Sequence, residues 1–577
     1  MEAHSRGYRP LCASLSQSSA VALDHYHPQR GCPVTQTGSA PPRADAPITE
    51  DGQATGAALA RPTRRWPIRL PAPGIIASAV VVAVGVALRT WTPSQLWLDE
   101  AQSVYIAHQP LAGLVKALRH DGAPPLYYLL LHWWISVFGD SNVAVRSLSG
   151  LFSVTALPVM WVVARRHGRF TALAAILLLA SAPMAIYFST EARMYSLLML
   201  LALVGAALLY RVLDRPSLGP AIALAVVTGL LALTHYWAFF LIAAVAVLLV
   251  WRLRVPAQRR TAMVALAALA GGGILFLPWL PSFVFQLRHT GTPWADPGSL
   301  NNVVAVVGQW SADAQSASFP NSTAVLPTAR LLEVAMFGLA TLGVFGRALD
   351  DRRRIELDMT GRPEGRPLVL VVYGTLIIGI GAGIIVHSGF QPRYSSLVMV
   401  LFIVLVALGV YACPARLRVA VLAVVILLGF ANGASNLVNT SKTQAGSIAK
   451  AIRTHARQGS VVAYCPDQLA PAINRLLGAG YDQVTYPNFG SGQGVDWVDY
   501  GKRNAASNPR SFSRRLLTRA GKRPIFLVWF AGYRTLEGKC EKLSTDLALA
   551  RTRSTVLVSA DNNDYEKAYL IRFKPSG

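Results

Sequence analysis

Two adjacent acidic residues, Asp99 and Glu100, are the first candidates for proton chemistry in this sequence. They lie within residues 97–103, shortly after an uncharged run that covers residues 71–88. Tryptophan residues flank the pair, as is typical where a helix meets the membrane–water interface. A carboxylate half-sheltered by apolar surface can have a raised pKa and act as a general base. The competing interpretation is a solvated loop acid between anchoring tryptophans.

Further polar and aromatic residues lie at the predicted outer ends of other apolar segments. Ionisable groups at such depths are costly unless they are paired or functional. The residues in question are His120, Asp121, Glu191, Arg193, Tyr195, His235, Tyr236, His387, Arg393 and Tyr394. Taken singly, the arginines fit snorkelling side chains, the tyrosines an aromatic belt, and His235 a packed turn. Their convergence on one face favours an active site at the outer leaflet.

The composition predicts a polytopic membrane protein. Hydrophobic residues make up 53% of the 577 positions and charged residues 14%, whereas soluble domains carry about a quarter charged residues. Several uncharged windows reach the roughly 20 residues that cross a bilayer core. The net charge is +25. We attribute it to cytoplasmic loops and lipid headgroups, and no nucleic-acid-binding motif is present.

The distribution of charge orients the segments in the plasma membrane. Residues 1–70 have the composition of a disordered tail, and the basic residues between positions 61 and 69 predict that this tail is cytoplasmic. Asp99 is then outside, in a first outer loop of residues 89–146. Within that loop we expect residues 124–139 to form an amphipathic interface helix. About eleven crossings make up a membrane domain of residues 71–436, at residues 71–88, 147–164, 170–190, 194–210, 218–234, 237–251, 261–285, 326–346, 367–387, 394–411 and 419–436.

The last part of the chain, residues 437–577, has the composition of a soluble segment. Alternating patterns predict a small extracytoplasmic α/β domain. The expected strands are residues 460–464, 524–529 and 568–573, and the expected helices are residues 444–455 and 466–477. Cys465 and Cys540 fall in this domain, where an outer location permits a disulfide. None of the five cysteines forms a zinc-binding pattern.

An ordered set of motifs carries a resemblance to a known family. The stretches are LWLDEAQS, DGAPPLYYLLLHWW, VRSLSGLFSV, STEARMYSLL, THYWAFF and QPRYSS. In this order they resemble the membrane glycosyltransferases of the GT-C superfamily, and among these the polyprenyl-phosphate-mannose mannosyltransferase-like enzymes of glycosyltransferase family 39 and relatives. The resemblance covers about residues 70–436. The stretches AYCPDQLAPAINR and GVDWVDY are similar to an extension of actinobacterial members.

The resemblance implies a reaction and a role for each residue. Such enzymes move a sugar from a polyprenyl-phosphate carrier to an acceptor hydroxyl at the outer leaflet, usually with inversion. Asp99 would deprotonate the acceptor, Glu100 would orient the loop or a basic partner, and Arg393 would neutralise the departing phosphate. The other residues expected to bind donor phosphate or sugar are His235, Arg193, Tyr394 and His120, and those expected to line the cavity are Glu191, Tyr195, Tyr127 and Tyr236.

Several alternatives stay open. Mannose is the first candidate sugar and polyprenyl-phosphate-arabinose the alternative donor, and the acceptor is a glycan, a lipoglycan or a protein. The sequence requires no cofactor, and a divalent metal at Asp99 is an open alternative, since two carboxylates are too few ligands to define a site. Aminoarabinose transferase relatives place a lysine beside the Pro-rich stretch where this chain has Ala123, and His120 or Lys116 are candidate substitutes. Rival classes are a transporter or flippase, although no convincing internal repeat is seen, and a binding module on a membrane scaffold.

Overall fold

The computed structural model describes residues 73–312, 327–349, 354–439 and 441–575. The predicted disordered tail and its basic cluster lie outside these residues. In chain order, the helices before the outer domain are α1 (Pro73–Ala87), α2 (Leu98–Ala107), α3 (Leu111–Asp121), α4 (Leu126–Phe138), α5 (Asn142–Ala164), α6 (Arg169–Ser181), α7 (Pro183–Ser189), α8 (Tyr195–Asp214), α9 (Leu218–Ala232), α10 (Ala238–Arg252), α11 (Pro256–Phe276), α12 (Leu280–His289), α13 (Asn301–Ser311), α14 (Pro327–Phe345), α15 (Arg366–Ile385), α16 (Ser396–Ala412) and α17 (Arg418–Asn439). A short hairpin of β1 (Gly346–Leu349) and β2 (Arg354–Leu357) follows α14.

The predicted class, a polytopic helical membrane protein, is confirmed. Among the described residues, seven helices are long and apolar enough to cross a membrane, or eight if the bent pair α6 and α7 is one span. Each of the other predicted crossings is also helical, as α1, α9 and α10. These three have 15 residues each and rise about 22 Å, less than the roughly 30 Å of a bilayer core. Helix α16 is central, because nearly all of its side chains are buried.

The predicted crossing at residues 170–190 is bent by 56° between α6 and α7. The break falls at Ala182, whose backbone is extended, and Pro183 begins the next helix. Proline has no backbone N–H to continue the helix and pushes the preceding residue out of helical conformation. The bend directs the chain after α7 into the turn that carries Glu191 and Arg193. The two helices together are apolar enough for the predicted crossing, but the bend itself was not predicted.

A buried arginine fixes the chain where it leaves α1. The guanidinium of Arg89 donates hydrogen bonds to the carbonyl oxygens of Gly85 and Ala180 at 2.7 and 2.6 Å, and to Leu179 O at 2.7 Å. Its Nε also donates to Ser153 Oγ at 3.0 Å. Since the last carbonyls of a helix lack intrahelical partners, this one side chain satisfies groups at the ends of both α1 and α6. The segment leading to Asp99 is thereby tied to two helices.

The C-terminal part of the chain is a small α/β domain, as predicted, and we call it the outer domain after its expected location. Its elements are β3 (Ser441–Thr443), α18 (Ala445–His455), β4 (Val461–Cys465), α19 (Ala470–Leu477), β5 (Asp482–Thr485), α20 (Tyr500–Ala506), α21 (Pro509–Ala520), β6 (Ile525–Trp529), α22 (Lys539–Ala550), β7 (Ser554–Val558), β8 (Asp564–Glu566) and β9 (Tyr569–Phe573). Five strands form a sheet in the order β5-β4-β6-β9-β7, with β4 parallel to both β5 and β6. Strands β3 and β8 pair separately in parallel.

Alternation along the central strands divides this domain into two cores. Val462 of β4 and Phe526 of β6 belong to the core that continues into the membrane helices. Their neighbours Val461 and Ile525 face the opposite side and pack in a second core with residues of α21 and α22. Because successive side chains of a strand point to opposite faces, one face of the sheet is dedicated to the membrane part.

The structure pairs Cys465 with Cys540 in a disulfide that joins β4 to α22. The two cysteines are 75 residues apart in sequence, so the bond restricts a long loop of the unfolded chain. We expect Cys540→Ser to lower the free energy of unfolding of the outer domain by about 4 kcal/mol. The measurement is thermal unfolding with and without reductant. Cys413→Ser, at a buried free cysteine, should keep the wild-type sensitivity to reductant, and equal melting of wild type and Cys540→Ser would contradict the prediction.

Candidate active site

Asp99 lies in the first turn of α2 and forms an ion pair with two arginines. Its Oδ2 is 3.0 Å from Arg393 Nη1 and 3.8 Å from Arg193 Nη2. The aspartate side chain is 16% exposed, so the carboxylate is sheltered but reachable. Three of the residues predicted to do chemistry are thus brought together from segments far apart in sequence.

Arg393 is held between aromatic rings. It lies in a short 3-10 turn that precedes α16, and its guanidinium carbon is 5.3 Å from the ring centre of Trp294 and 6.0 Å from that of Trp97. A cation over an aromatic face is attracted by the ring quadrupole. The Nε of Arg393 is buried without a hydrogen-bond partner in the described part of the chain, which leaves a donor for a bound anion.

Arg193 is held by polar side chains of the first outer loop. It lies in the turn between α7 and α8, and its Nη1 donates to Tyr128 Oη at 3.1 Å and to Ser103 Oγ at 3.3 Å. Tyr128 in turn donates to Asp121 Oδ2 at 3.1 Å. Burial raises the pKa of Asp121, and the charge of Asp99 raises it further, although Arg193 opposes both effects. Asp121 and Tyr128 thus fix the guanidinium beside Asp99.

Glu100 faces away from Asp99 and is fully buried. Arg146 of α5 donates to both of its oxygens, at 2.7 Å from Nε and 2.6 Å from Nη2, and the backbone N–H of Ala192 donates to Oε1 at 2.9 Å. Burial by itself would raise the pKa of Glu100, but the nearby cations Arg146 and Lys442 lower it overall. These hydrogen bonds hold the carboxylate in place, and the orienting role that the resemblance implied stays a prediction.

Glu191 and Lys442 form a second buried pair beside Glu100. Lys442 Nζ is 3.8 Å from Glu191 Oε2 and donates to Thr190 O at 3.1 Å. Both side chains are almost completely buried. Burial raises the pKa of Glu191, while Lys442 acts against this shift. Neither Lys442 nor Arg146 was predicted as a site residue. The only sequence signal for each is a single cation next to a long apolar helix.

The predicted donor-binding aromatic residues border the arginines. The ring of His235 lies between Tyr195 and Tyr394, with centroids 5.9 and 5.1 Å away. Burial, together with Arg193 and Arg393, lowers the pKa of His235 to about 3, so its imidazole is neutral. Its Nδ1 accepts from the backbone N–H of Trp237 at 3.1 Å, which leaves the proton on Nε2 as a donor. Tyr127 is buried nearby and shares a hydrogen bond with Ser149.

Two predicted residues have their contacts elsewhere. His120 pairs with Asp496 of the outer domain at 3.1 Å and is 43% exposed. Tyr236 donates to Gln286 Oε1, accepts from Trp279 Nε1 at 2.9 Å, and packs against Phe283. The structure brings neither residue into the cluster around Asp99. His387, at the end of α15, has positive φ.

A metal site at Asp99 has no further support. Within the described ranges, no group of three or more His, Cys, Asp and Glu residues is placed to hold an ion. Asp99 pairs with guanidinium groups, which do not coordinate cations. Two guanidinium groups beside one carboxylate favour an anion over a cation as the ligand of this cluster.

A buried glutamate of the outer domain fastens the start of α2. Glu566 Oε2 accepts from Thr443 Oγ1 at 2.7 Å, and its carboxylate also accepts from the backbone N–H of Leu98. Burial raises the pKa of Glu566 from 4.5 to about 8. Because the folded protein holds this proton more tightly than the unfolded chain, the stabilisation is complete below about pH 4.5 and is lost as the pH rises through 8.

We therefore expect Glu566→Gln to stabilise the purified protein at pH 9 by up to roughly 4 kcal/mol and to change little at pH 5. The measurement is thermal unfolding across this range in detergent. Glu537→Gln, at an exposed position, serves as the control and should follow the wild type. If the melting temperatures of wild type and Glu566→Gln change with pH in parallel, Glu566 does not titrate in this range.

Comparison with known proteins adds the class of enzyme. Residues 122–281 match the family model described as dolichyl-phosphate-mannose-protein mannosyltransferase. The resemblance predicted from the motifs is confirmed for this part of the chain. This match and the helices that are long and apolar enough to cross a membrane indicate a membrane glycosyltransferase. A sequence comparison with curated proteins gives no match.

Several solved structures show a distant likeness. ArnT from Cupriavidus metallidurans is 15% identical, with 87% of this chain and 98% of that chain covered and a TM-score of 0.45. The archaeal oligosaccharyltransferase AglB from Archaeoglobus fulgidus is 11% identical, with 79% and 69% covered and a TM-score of 0.42. The arabinofuranosyltransferase AftD from Mycobacteria is 16% identical, with 87% and 42% covered and a TM-score of 0.43.

Proposed function

We propose that this protein transfers a sugar, mannose in the first instance, from a polyprenyl-phosphate carrier to an acceptor hydroxyl on the outer face of the plasma membrane. The observation that carries the proposal is the pair of Asp99 and Arg393. A sheltered carboxylate and a guanidinium with an unused donor lie 3.0 Å apart. One group can accept the proton of an acceptor, and the other can bind the leaving phosphate.

The local charge supports a phosphodiester ligand. Arg393 and Arg193 contribute two positive charges and Asp99 one negative charge, which leaves one positive charge in excess. A sugar linked to polyprenyl phosphate carries one negative charge, so its binding neutralises this cluster. Binding also draws the guanidinium of Arg393 toward phosphate oxygens. The carboxylate of Asp99 then loses part of its ion pair and can accept a hydrogen bond from the acceptor hydroxyl.

The reaction balances with these groups. The acceptor oxygen forms a bond to the anomeric carbon while the bond from that carbon to the phosphate oxygen breaks. The electron pair of the broken bond stays on the phosphate, whose charge changes from −1 to −2, and the acceptor proton moves to Asp99. Arg393 and Arg193 stabilise the charge that develops on the phosphate, and such preorganised cations lower a barrier most in a water-poor site. Neutral His235 can donate from Nε2 to a donor oxygen.

The outer location of the site is part of the proposal. The disulfide of Cys465 and Cys540 supports it, since disulfides persist in oxidising compartments outside the cytoplasm. The N-terminus is then cytoplasmic by the positive-inside rule. The acceptor, a glycan, a lipoglycan or a protein, would approach from outside, and the polyprenyl chain would stay among the membrane lipids.

Transfer of label from radiolabelled polyprenyl-phosphate-mannose to crude wall, lipid and protein acceptors tests the proposal. Membranes that contain the protein are compared with membranes that lack it. Labelled product from mannose supports the proposal, and product from polyprenyl-phosphate-arabinofuranose alone would replace the sugar but keep the reaction. Intact labelled lipid that moves across sealed vesicles without cleavage would identify a transporter instead. If neither labelled product nor movement of the lipid is observed, the proposal is overturned.

A further inference from the structure

The two short strands of the outer domain, β3 and β8, contact the segment that presents Asp99. The backbone N–H of Lys442 in β3 donates to Ser94 Oγ at 2.8 Å. From β8, the ring of Tyr565 meets that of Trp97 edge to face at 5.1 Å, and Glu566 accepts from the backbone N–H of Leu98. These strands therefore touch the chain on the N-terminal side of the acidic pair, although they belong to a different domain.

The turn that carries Arg193 is held from two sides. On one side, Glu100 accepts from the backbone N–H of Ala192 at 2.9 Å. On the other side, Lys442 Nζ donates to Thr190 O at 3.1 Å and lies over the ring of Tyr187 at 4.6 Å. The lysine side chain is only 4% exposed. Since Arg193 directly follows these anchored residues and contacts Asp99, the place of its guanidinium depends on both anchors.

The buried side chains of Glu100, Arg146, Glu191 and Lys442 form a layer of two ion pairs behind the turn that carries Arg193. In their ordinary ionisation states, Arg146 and Lys442 are positive and Glu100 and Glu191 are negative, so the four groups sum to zero. Burial acts against this arrangement, since it raises the pKa of Glu191 and lowers the pKa of Lys442, whereas the attraction between opposite charges favours it. A buried charge that loses its partner is strongly destabilised or changes its protonation state. Loss of the lysine charge would leave two carboxylates near one cation, with Asp99 close enough to interact with Glu191.

We propose that Lys442 is a positioning residue for Arg193 and Asp99, and that the outer domain completes the active site through it. This inference rests on the proposed function for its kinetic readout. Lys442 contacts no reacting atom, and it acts by holding the turn of residues 190–193 and by balancing Glu100 and Glu191. The other charged groups that face this layer are Asp99, Arg393 and Glu566, together with Arg193, which contacts Asp99.

The test compares Lys442→Met, Lys442→Arg, Glu191→Gln and the double variant Lys442→Met with Glu191→Gln. Sugar transfer is measured from pH 5 to pH 9 in membranes with matched protein levels, and Lys450→Met, an exposed position of α18, is the control. We expect Lys442→Met to lower kcat at least tenfold, because the turn that carries Arg193 loses its anchor. We also expect the acid limb of the pH–rate profile to move to higher pH, because the lysine no longer opposes the raised pKa of Glu191. The double variant should return the limb to its wild-type position, and Lys442→Arg and the control should stay close to wild type.

A wild-type rate and profile for Lys442→Met would overturn the inference. The inference would also be overturned if Lys442→Met and the double variant lost the same amount of rate and neither shifted the acid limb of the pH–rate profile. A packing defect alone produces that result. Hydrogen exchange of the amides at residues 190–193 gives a readout that needs no activity. Faster exchange in Lys442→Met than in Lys450→Met supports the positioning role, and equal exchange contradicts it. An inactive wild type with this exchange difference would overturn only the proposed reaction.

Discussion

Asp99→Asn is expected to lower the rate of sugar transfer by about 10²- to 10⁴-fold, the contribution of a positioned general base. The amide has nearly the shape of the carboxylate and can still accept a hydrogen bond from Arg393 through its oxygen. It cannot take the proton of the acceptor hydroxyl. Initial rates with saturating donor and acceptor measure the effect, and donor binding, followed separately, should change much less than kcat.

The chain offers a matched control for this substitution. Asp140 also accepts from an arginine at 3.0 Å, in this case Arg475, but its side chain is 50% exposed and belongs to a surface pair. Exposed ion pairs contribute about 0–1 kcal/mol, so Asp140→Asn should keep the wild-type rate. If Asp99→Asn transfers sugar within twofold of wild type, Asp99 is not the base.

Arg393→Ala is expected to lower kcat/KM for the donor by about 10²- to 10³-fold or more, with a fall in kcat as well as a rise in KM. The reason is that the phosphate gains a negative charge as the sugar leaves, so Arg393 matters more in the transition state than in the bound ground state. Arg393→Lys should recover part of the rate, because an ammonium supplies the charge without the paired donors of a guanidinium. Steady-state kinetics with varied donor concentration separate the two parameters.

Arg475→Ala is the control for this second substitution, since it removes the arginine of the surface pair with Asp140. It should leave both kinetic parameters unchanged. A rise in KM for Arg393→Ala with an unchanged kcat would mean that Arg393 binds the donor but does not stabilise the leaving phosphate. That outcome would assign stabilisation of the leaving phosphate to Arg193 or to His235.

The sequence predicted the two residues at the centre of the cluster, Asp99 and Arg393, better than the groups that support them. Asp99 and Arg393 could be found because an acid and an arginine beside long apolar segments are unusual and expensive. Arg146 and Lys442 could not, because their significance lies in pairing with Glu100 and Glu191, and pairing across such distances leaves no periodic signal in one sequence. His120 and Tyr236 show the converse: both have the right residue type at a predicted outer end, but they point to other partners.

The same contrast holds for the fold. Long apolar runs predicted the helices of the membrane part, because twenty apolar residues have few alternatives in a bilayer. The bend at Pro183 was missed although proline is a strong local signal, since helices of membrane proteins often tolerate it. In the outer domain, the buried strands β4 and β6 and the partly buried strand β9 were predicted within a residue or two. Strands β5 and β7 were not, because β5 is short and β7 is an edge strand with exposed residues.

The pairing of β3 with β8 has a consequence for biosynthesis. Thr443 and Glu566, which face each other across this pair, are 123 residues apart in sequence. All the membrane helices precede β3, so a growing chain inserts them and delivers Asp99, Arg193 and Arg393 well before β8 has been translated. The contacts from Tyr565 and Glu566 to the start of α2 form only after β8 has been translated. A ribosome-bound chain that stops before β8 therefore carries Asp99, Arg193 and Arg393 without these two contacts, and the segment that presents Asp99 gains them only in a later stage of synthesis.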